Sequence, residues 1–304
     1  MKLKMYYRRK VILALLQVFE GRLKKIDFQK LLFLFSAHQD IPSFKFVPYK
    51  YGCFSFQSYY DIRIMKKYGL IQEKSELKNF EGAWIKNDEK DYVSQLKKQD
   101  QLKLNFLKYK FGKFSSDELI RYTYKNYPFY AINSETVSKF LDKKELEEVH
   151  HTISHSKKRM LFTIGYEGLS VEEYLNKLLI NNVKVLCDVR KNPLSMKYGF
   201  SKNQLKNACS GVGIEYIHIP ELGIESRYRQ NLNSQKDYDM LFEKYRNTTL
   251  ELGKLFLDQL EKMIQLKRRI ALTCFEANIN QCHRKQVADK LIELSNGQFK
   301  IIHI

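Results

Sequence analysis

The sequence predicts two domains of different class, a mainly α winged-helix-like domain followed by an α/β, Rossmann-like domain with a five-stranded parallel sheet. Three observations carry this. At 304 residues the chain is long for one core and comfortable for two. Helical apolar spacing dominates the first half, whereas from Met160 onward short apolar runs alternate with amphipathic stretches. Between them HHTISHSKKR has no apolar period and reads as a linker over 150–159, placing the domains at 1–149 and 160–304.

In the first half, apolar residues recur at helical spacing from Arg9 to Phe19, and Asp27 precedes FQKLLFLFSAH as the expected cap of a second helix. After the extended FKFVPYKYG, a third helix is expected in SFQSYYDIRIMKKYGLI. Ser55 would cap it, Tyr59, Ile62 and Ile64 would face inward, and Gly69 would end it. The stretch IQEKSELKNFEGAWIK has strand-like ends around a charged, glycine-bearing middle, the pattern of a β-hairpin. Three helices and a hairpin are the order of a winged helix, whose third helix enters the major groove while the wing touches the backbone. Arg63, Lys66, Lys67, Lys74 and Lys78 are the expected phosphate contacts. A helix from Asp91 to Lys110 and two shorter ones, capped near Ser116 and Ser134, complete this half. His150, His151 and His155 have no cysteine or carboxylate cluster beside them and read as linker, not as metal ligands.

In the second half MLFTIG is a buried strand, and Ser170 with Glu173 forms a capping box at the start of the next helix. VKVLCDV, IEYIHI, RIALTCFE and FKIIHI supply four more strands. They are separated by a helix capped by SKNQ, a long helix from about Tyr238 to Lys267, and a helix after Gln281. Strand-helix alternation of this kind predicts a parallel sheet, whose ligands bind outside the carboxyl ends of the strands. Those ends carry Tyr166 and Glu167, then Asp188 and Arg190, then His218 and Glu221 before a basic loop with Arg227 and Arg229, then Cys274 and Glu276. Cys282, His283 and Arg284 open the following helix.

Four readings fit the dense stretch LTCFEANINQCHR. Cys274, Cys282 and His283 could clip a zinc ion, but adjacent ligands and a seven-residue gap do not match common structural zinc spacings, so no metal and no cofactor is expected. A cysteine at a helix start beside histidine and arginine would have a depressed pKa, making Cys282 a candidate nucleophile or redox thiol. A buried ion-pair network that only positions loops is the plainest reading. The reading that uses all four strand ends is an anion and carboxylate pocket. In it Asp188, Glu276 and Glu167, with His283 and Cys282, form the catalytic set, while Arg190, Arg227 and Arg284 hold phosphate. Tyr166, Tyr198 and Cys274 complete the lining, the tyrosines as stacking platforms.

Two resemblances add to this. FQKLLFLF, YKYGCFSFQSYYDI, YGLI and FSSDELIRYTYKNYPFYAINS resemble a winged-helix module of prokaryotic defence-associated and phage-associated proteins over residues 5–145, which implies recognition and not chemistry. TIGYEG, CDVR, NPLS with YGFSK, GIEYIHIPELG, and TCFE followed by CHR resemble, over 160–294, the family of domain of unknown function 488. That resemblance implies the same α/β sheet and a site at Tyr166, Glu167, Asp188, Arg190, Cys274, Glu276, Cys282, His283 and Arg284. It implies no particular reaction.

Charge narrows the partner. Lys and Arg number 53 against 34 Asp and Glu, a net +19, and residues 1–158 hold 31 basic against 18 acidic side chains. Such an excess favours an anionic polymer, and double-stranded DNA is the expected partner. Five cysteines without regular spacing argue for free thiols, and the absence of an apolar run of spanning length, or of a signal-peptide pattern, argues for a cytoplasmic protein without a membrane partner. No oligomeric state is read from the sequence. Without a GxxxxGKS or GxGxxG loop, ATP hydrolysis and dinucleotide redox chemistry are not expected. The leading expectation is therefore a nucleic-acid-directed hydrolase that excises a base, such as a modified base in foreign DNA, by cleaving its N-glycosidic bond. The alternatives are a metal-dependent nuclease using Asp188 and Glu276, and a winged-helix regulator that senses an anion or oxidant through Cys274 and Cys282.

Overall fold

A computed structural model describes residues 3–74 and 82–304. The chain divides into two compact units, residues 1–152 and 153–304. Among the described residues no helix is long and apolar enough to cross a membrane.

The first unit runs α1 (Tyr7–Val18), β1 (Arg22–Lys24), α2 (Lys25–His38), β2 (Val47–Tyr49), β3 (Gly52–Phe54), α3 (Phe56–Lys67), β4 (Ile71–Lys74), β5 (Ala83–Lys86), α4 (Lys98–Phe111), α5 (Ser116–Asn126), α6 (Val137–Phe140) and α7 (Lys143–His151). β1, β5 and β4 form an antiparallel sheet with β5 in the centre, and β2 and β3 form a separate hairpin. Most of α2 is buried, and Leu31, Leu32, Phe33, Leu34 and Phe35 fill one core with Leu13, Leu16, Ile62, Met65 and Trp84. Each such side chain contributes about 1.5–3 kcal/mol on burial.

Several local expectations are corrected. β1 was not expected; three residues entered through Glu20 and Gly21, both with positive φ, are too short to show a period. Asp27 lies in the first turn of α2, whose cap position is Lys24. Ser55 does cap α3, accepting from Ser58 N at 3.2 Å, but Tyr59 is exposed and Ser58, Asp61, Ile62 and Met65 face inward. Asp91 does not start a helix, because its carboxylate accepts from the amides of Val93 and Ser94 and closes a turn; α4 begins at Lys98. α5 is capped at Ser115, beside Ser116 as expected, whereas Ser134 bonds the Tyr124 hydroxyl instead of capping a helix. His150 and His151 end α7, which an Asp142–Glu145 capping box starts.

One polar feature left no sequence signal. Lys30 is fully buried, its Nζ donates to the Tyr51 carbonyl at 2.5 Å and lies 4.9 Å from the Tyr124 ring centre, and burial lowers its pKa.

The second unit runs β6 (Met160–Gly165), α8 (Val171–Ile180), β7 (Val185–Asp188), α9 (Lys202–Gly211), β8 (Glu215–His218), α10 (Gln235–Tyr245), α11 (Lys254–Lys267), β9 (Arg269–Cys274), α12 (His283–Leu294) and β10 (Lys300–His303). All five strands pair in parallel in the order β10-β6-β9-β7-β8, a Rossmann-like sheet. Every residue of β6, β7 and β9 is buried, as expected for strands covered on both faces. Leu161, Val185, Ile270 and Leu272 pack with Leu257, Leu260 and Ile264 of α11 and with Val287 and Leu291 of α12. The Ser170–Glu173 capping box forms. Ser201 occupies the cap position of α9, but its hydroxyl bonds Ser195 and not the helix. The helix expected from Tyr238 to Lys267 is two, divided by a π-helical turn at Arg246–Leu250 and by Gly253.

Candidate functional site at the strand ends

The parallel register sets the strand ends side by side. Gly165 of β6 lies opposite Cys274 of β9, while Asp188 of β7 lies between Thr273 and His218. A glycine is required at 165, where a Cβ would sit 1.9 Å from the Glu276 carbonyl oxygen. This close approach lets the segment after β9 fold over the end of β6, where the Ala277 amide donates to Glu167 Oε2 at 2.9 Å. Gly223 plays the same part against Lys191, whose backbone nitrogen would lie 2.2 Å from a Cβ.

Two ion pairs dominate the edge. Arg190 grips Asp188 with two prongs, Nε to Oδ1 at 2.8 Å and Nη2 to Oδ2 at 2.5 Å, and Tyr216 donates to Oδ2 at 2.6 Å. Arg190 Nη1 donates in turn to the Tyr166 hydroxyl at 2.9 Å and the Phe200 carbonyl at 3.0 Å. Burial opposes the charge on Arg190, yet Asp188 outweighs it and raises the guanidinium pKa. The second pair joins Arg229 to Glu276. Burial pushes the Glu276 carboxyl up, but the Arg229 charge and hydrogen bonds from the Cys282 and Cys274 thiols outweigh it, holding its pKa below the usual range.

His283 links this second pair to the thiols. Its Nε2 lies 2.8 Å from the Val189 carbonyl, which can only accept, and its Nδ1 lies 3.3 Å from Arg229 Nη2, which can only donate. Those partners fix the tautomer, with the proton on Nε2 and the lone pair on Nδ1. Cys274 Sγ is 3.6 Å from Nδ1 and donates to Glu276 Oε2 at 3.2 Å. Among the described residues, Cys274, Cys282 and His283 form the group able to offer three metal ligands, their ligating atoms all within 4.8 Å of one another.

A cleft of about 300 Å³ opens here, lined by Tyr166, Arg190, Lys191, Arg229, Cys274 and His283, with Leu194, Met196 and Phe275 as apolar walls. Residues 170–291 match the family described as Domain of unknown function DUF488. The match lies within the second unit and includes both ion pairs, the two thiols and His283, but it starts after Tyr166 and Glu167. No curated protein matches the chain.

The DUF488-like unit therefore brings together many of the residues singled out in the sequence, in roles that differ among them. Asp188 is fully buried with both oxygens engaged, and Arg190 is 5 % exposed, so this pair braces the strand ends. Arg284 is also buried, donating to the Glu276 carbonyl at 2.5 Å and the Ala277 carbonyl at 3.3 Å; it staples the loop. Arg227 is exposed and pairs with Glu225, while its neighbour Arg229 enters the cleft. Tyr166 lines the cleft, but one face of its ring is stacked on Phe200 at 4.4 Å. Tyr198 is half-buried and does not line the cleft. Cys282 is fully buried, and burial pushes its thiol pKa well up, against the depressed value expected at a helix start. Phe275, exposed on the cleft wall, was missed; its place directly between Cys274 and Glu276 was the available signal.

In the first unit Arg63, Lys66, Lys67 and Lys74 are exposed. Lys66 pairs with Glu73, which Lys25 also holds. Lys78 lies outside the described residues.

Proposed function

We propose that the protein is an enzyme acting on nucleic acid, in which the first unit grips the polymer and the cleft of the second hydrolyses an N-glycosidic bond. The observation that carries this reading is the ionised Glu276 paired with Arg229, directly behind a cleft that Arg229, Cys274 and Phe275 line. Cleavage of an N-glycosidic bond develops positive charge on the sugar, which a fixed carboxylate stabilises. A carboxylate with a depressed pKa is a weak base, so Glu276 acts mainly by its charge and by orienting the attacking water. Arg229 and Lys191 provide donors for flanking phosphate, and exposed Phe275 offers a ring face to an extruded base. Asp188 and Arg190 are then positioning residues, not the catalytic pair.

Support for the first half comes from its topology. The succession α1, β1, α2, the β2–β3 hairpin, α3, β4, β5, with β5 central in a three-stranded sheet, fits a winged helix that carries an extra hairpin between its second and third helices, and Arg63, Lys66 and Lys67 are exposed on α3. DNA is the partner this surface would take, and modified bases in foreign DNA are the substrate class the proposal favours.

The test uses end-labelled duplexes of ordinary and modified bases, incubated with the full chain and split into untreated and hot-alkali samples. Breaks seen only after alkali support base removal. Breaks without alkali would replace it with phosphodiester hydrolysis, and no breaks on any duplex or single strand would remove the enzymatic reading.

A further inference from the structure

We infer that Cys274, Cys282 and His283 form a zinc site at the base of the strand-end cleft. The sequence spacing argued against one, because two of the three ligands are adjacent. The fold removes that objection. Cys282 is the extended cap of α12, with φ −131° and ψ 132°, and His283 is the first residue of the helix, so the two side chains converge on Cys274 at the end of β9.

Three independent features make this a metal site. The first is distance. A tetrahedral ion with Zn–S near 2.3 Å and Zn–N near 2.05 Å sets its sulfur and nitrogen ligands about 3.5 Å apart. Cys274 Sγ and His283 Nδ1 are 3.6 Å apart, and all three ligand atoms lie within 4.8 Å of one another. The second is orientation. His283 gives its Nε2 proton to the Val189 carbonyl, the outer-sphere arrangement that metal-binding histidines use, and so leaves on Nδ1 a lone pair that faces Cys274 Sγ at 3.6 Å and Arg229 Nη2 at 3.3 Å; a bound ion takes the place of the Arg229 contact. The third is charge. Two buried thiolates and a divalent cation sum to zero, and Glu276 with Arg229 sums to zero beside them, so the filled site buries no net charge. The fourth position falls to a water, which leaves Glu276 paired with Arg229.

Binding is balanced in protons. Each thiol loses one as its sulfur bonds the ion, and neutral His283 loses none, so each zinc releases two protons. The inference does not depend on the reaction proposed above, and its readouts need no substrate.

The decisive experiment titrates the full-length, metal-stripped chain with Co(II) and follows the near-ultraviolet thiolate-to-cobalt charge transfer and the visible absorption of tetrahedral cobalt. One equivalent should produce both bands, zinc should bleach them, and proton release should approach two per ion. Losing an outer-sphere partner already costs ~10–100-fold in metal affinity, so Cys282→Ser should lower cobalt affinity by at least about 100-fold. Cys209→Ser, at a buried thiol of α9, should leave it unchanged. Absence of thiolate charge transfer in the folded wild type would overturn the site without recourse to a variant. So would three titratable thiols in denaturant in place of five, since that count means a Cys274–Cys282 disulfide in place of the ion.

Discussion

Asp188 and Arg190 form a two-pronged ion pair, 2.8 and 2.5 Å long, in which the carboxylate is wholly buried. Two residues apart at the end of one strand, they tie β7 to the loop after it, and through Tyr166 and Tyr216 they tie in the neighbouring elements. Removing one partner leaves the other charge buried and alone, which costs ~3–5 kcal/mol. Asp188→Ala should therefore lower the unfolding free energy by about that amount, and the Asp188→Ala, Arg190→Ala double variant should lose less than the two single losses added together. Denaturant unfolding of the four proteins of that cycle checks it. Additive losses would mean that the pair is not coupled.

Glu276 gives the site a pH dependence of defined sign. Its folded pKa lies below that of an unfolded glutamate, so the stabilisation from its ionised form is complete above the unfolded value of about 4.3 and is lost as pH falls through the lower folded value. Acidification below about pH 4.3 should thus destabilise the wild type more steeply than Glu276→Gln, which cannot titrate there. Unfolding midpoints measured across this range in both proteins supply the comparison, and parallel curves would show that Glu276 carries no such shift.

Gly165 makes the loop after β9 possible. Gly165→Ala would place a methyl 1.9 Å from the Glu276 carbonyl oxygen, so the segment carrying Glu276 must move. Overpacking of this kind costs ~1–3 kcal/mol. Beyond that loss, the variant should lose any catalytic activity that depends on Glu276 while keeping the secondary structure measured by circular dichroism. Unchanged activity would separate the loop position from the chemistry.

Much of the sheet was legible because MLFTIG and RIALTCFE are short apolar runs bounded by polar residues, and because Ser170 and Glu173 mark a helix start by themselves. The placement of polar residues at strand ends followed from that topology. Their partners did not. Asp188 and Arg190 read equally well as a free base and a phosphate clamp, and it is Tyr216, 28 residues away, together with their burial, that makes them a brace. Arg227 and Arg229 are indistinguishable in sequence, and only the short helical turn at Ser226–Arg229 sends one outward and the other into the cleft. The meeting of Cys274 with Cys282 depends on a loop that returns over Gly165, a three-dimensional fact with no spacing rule behind it.

The basic surface of the first unit is open to a salt test. Arg63 and Lys67 are exposed on α3, so removing both should leave stability within ~0.5 kcal/mol while weakening DNA binding. Each lost phosphate contact should flatten the slope of log affinity against log salt by roughly 0.9. Lys66→Ala should do less, because Lys66 is already paired with Glu73. An unchanged slope in the double variant would place the contact surface elsewhere.

The most direct test of the central claim is the release of free base from duplex DNA, measured by mass spectrometry, with the wild-type chain and with Glu276→Gln at equal concentration and confirmed fold. Base should accumulate with the wild type and fall by about 10²–10⁴-fold in the variant, the range expected for a group acting on the transition state. Equal release by both proteins, or none by the wild type from any base tested, would contradict the assignment of this cleft as a base-excising site.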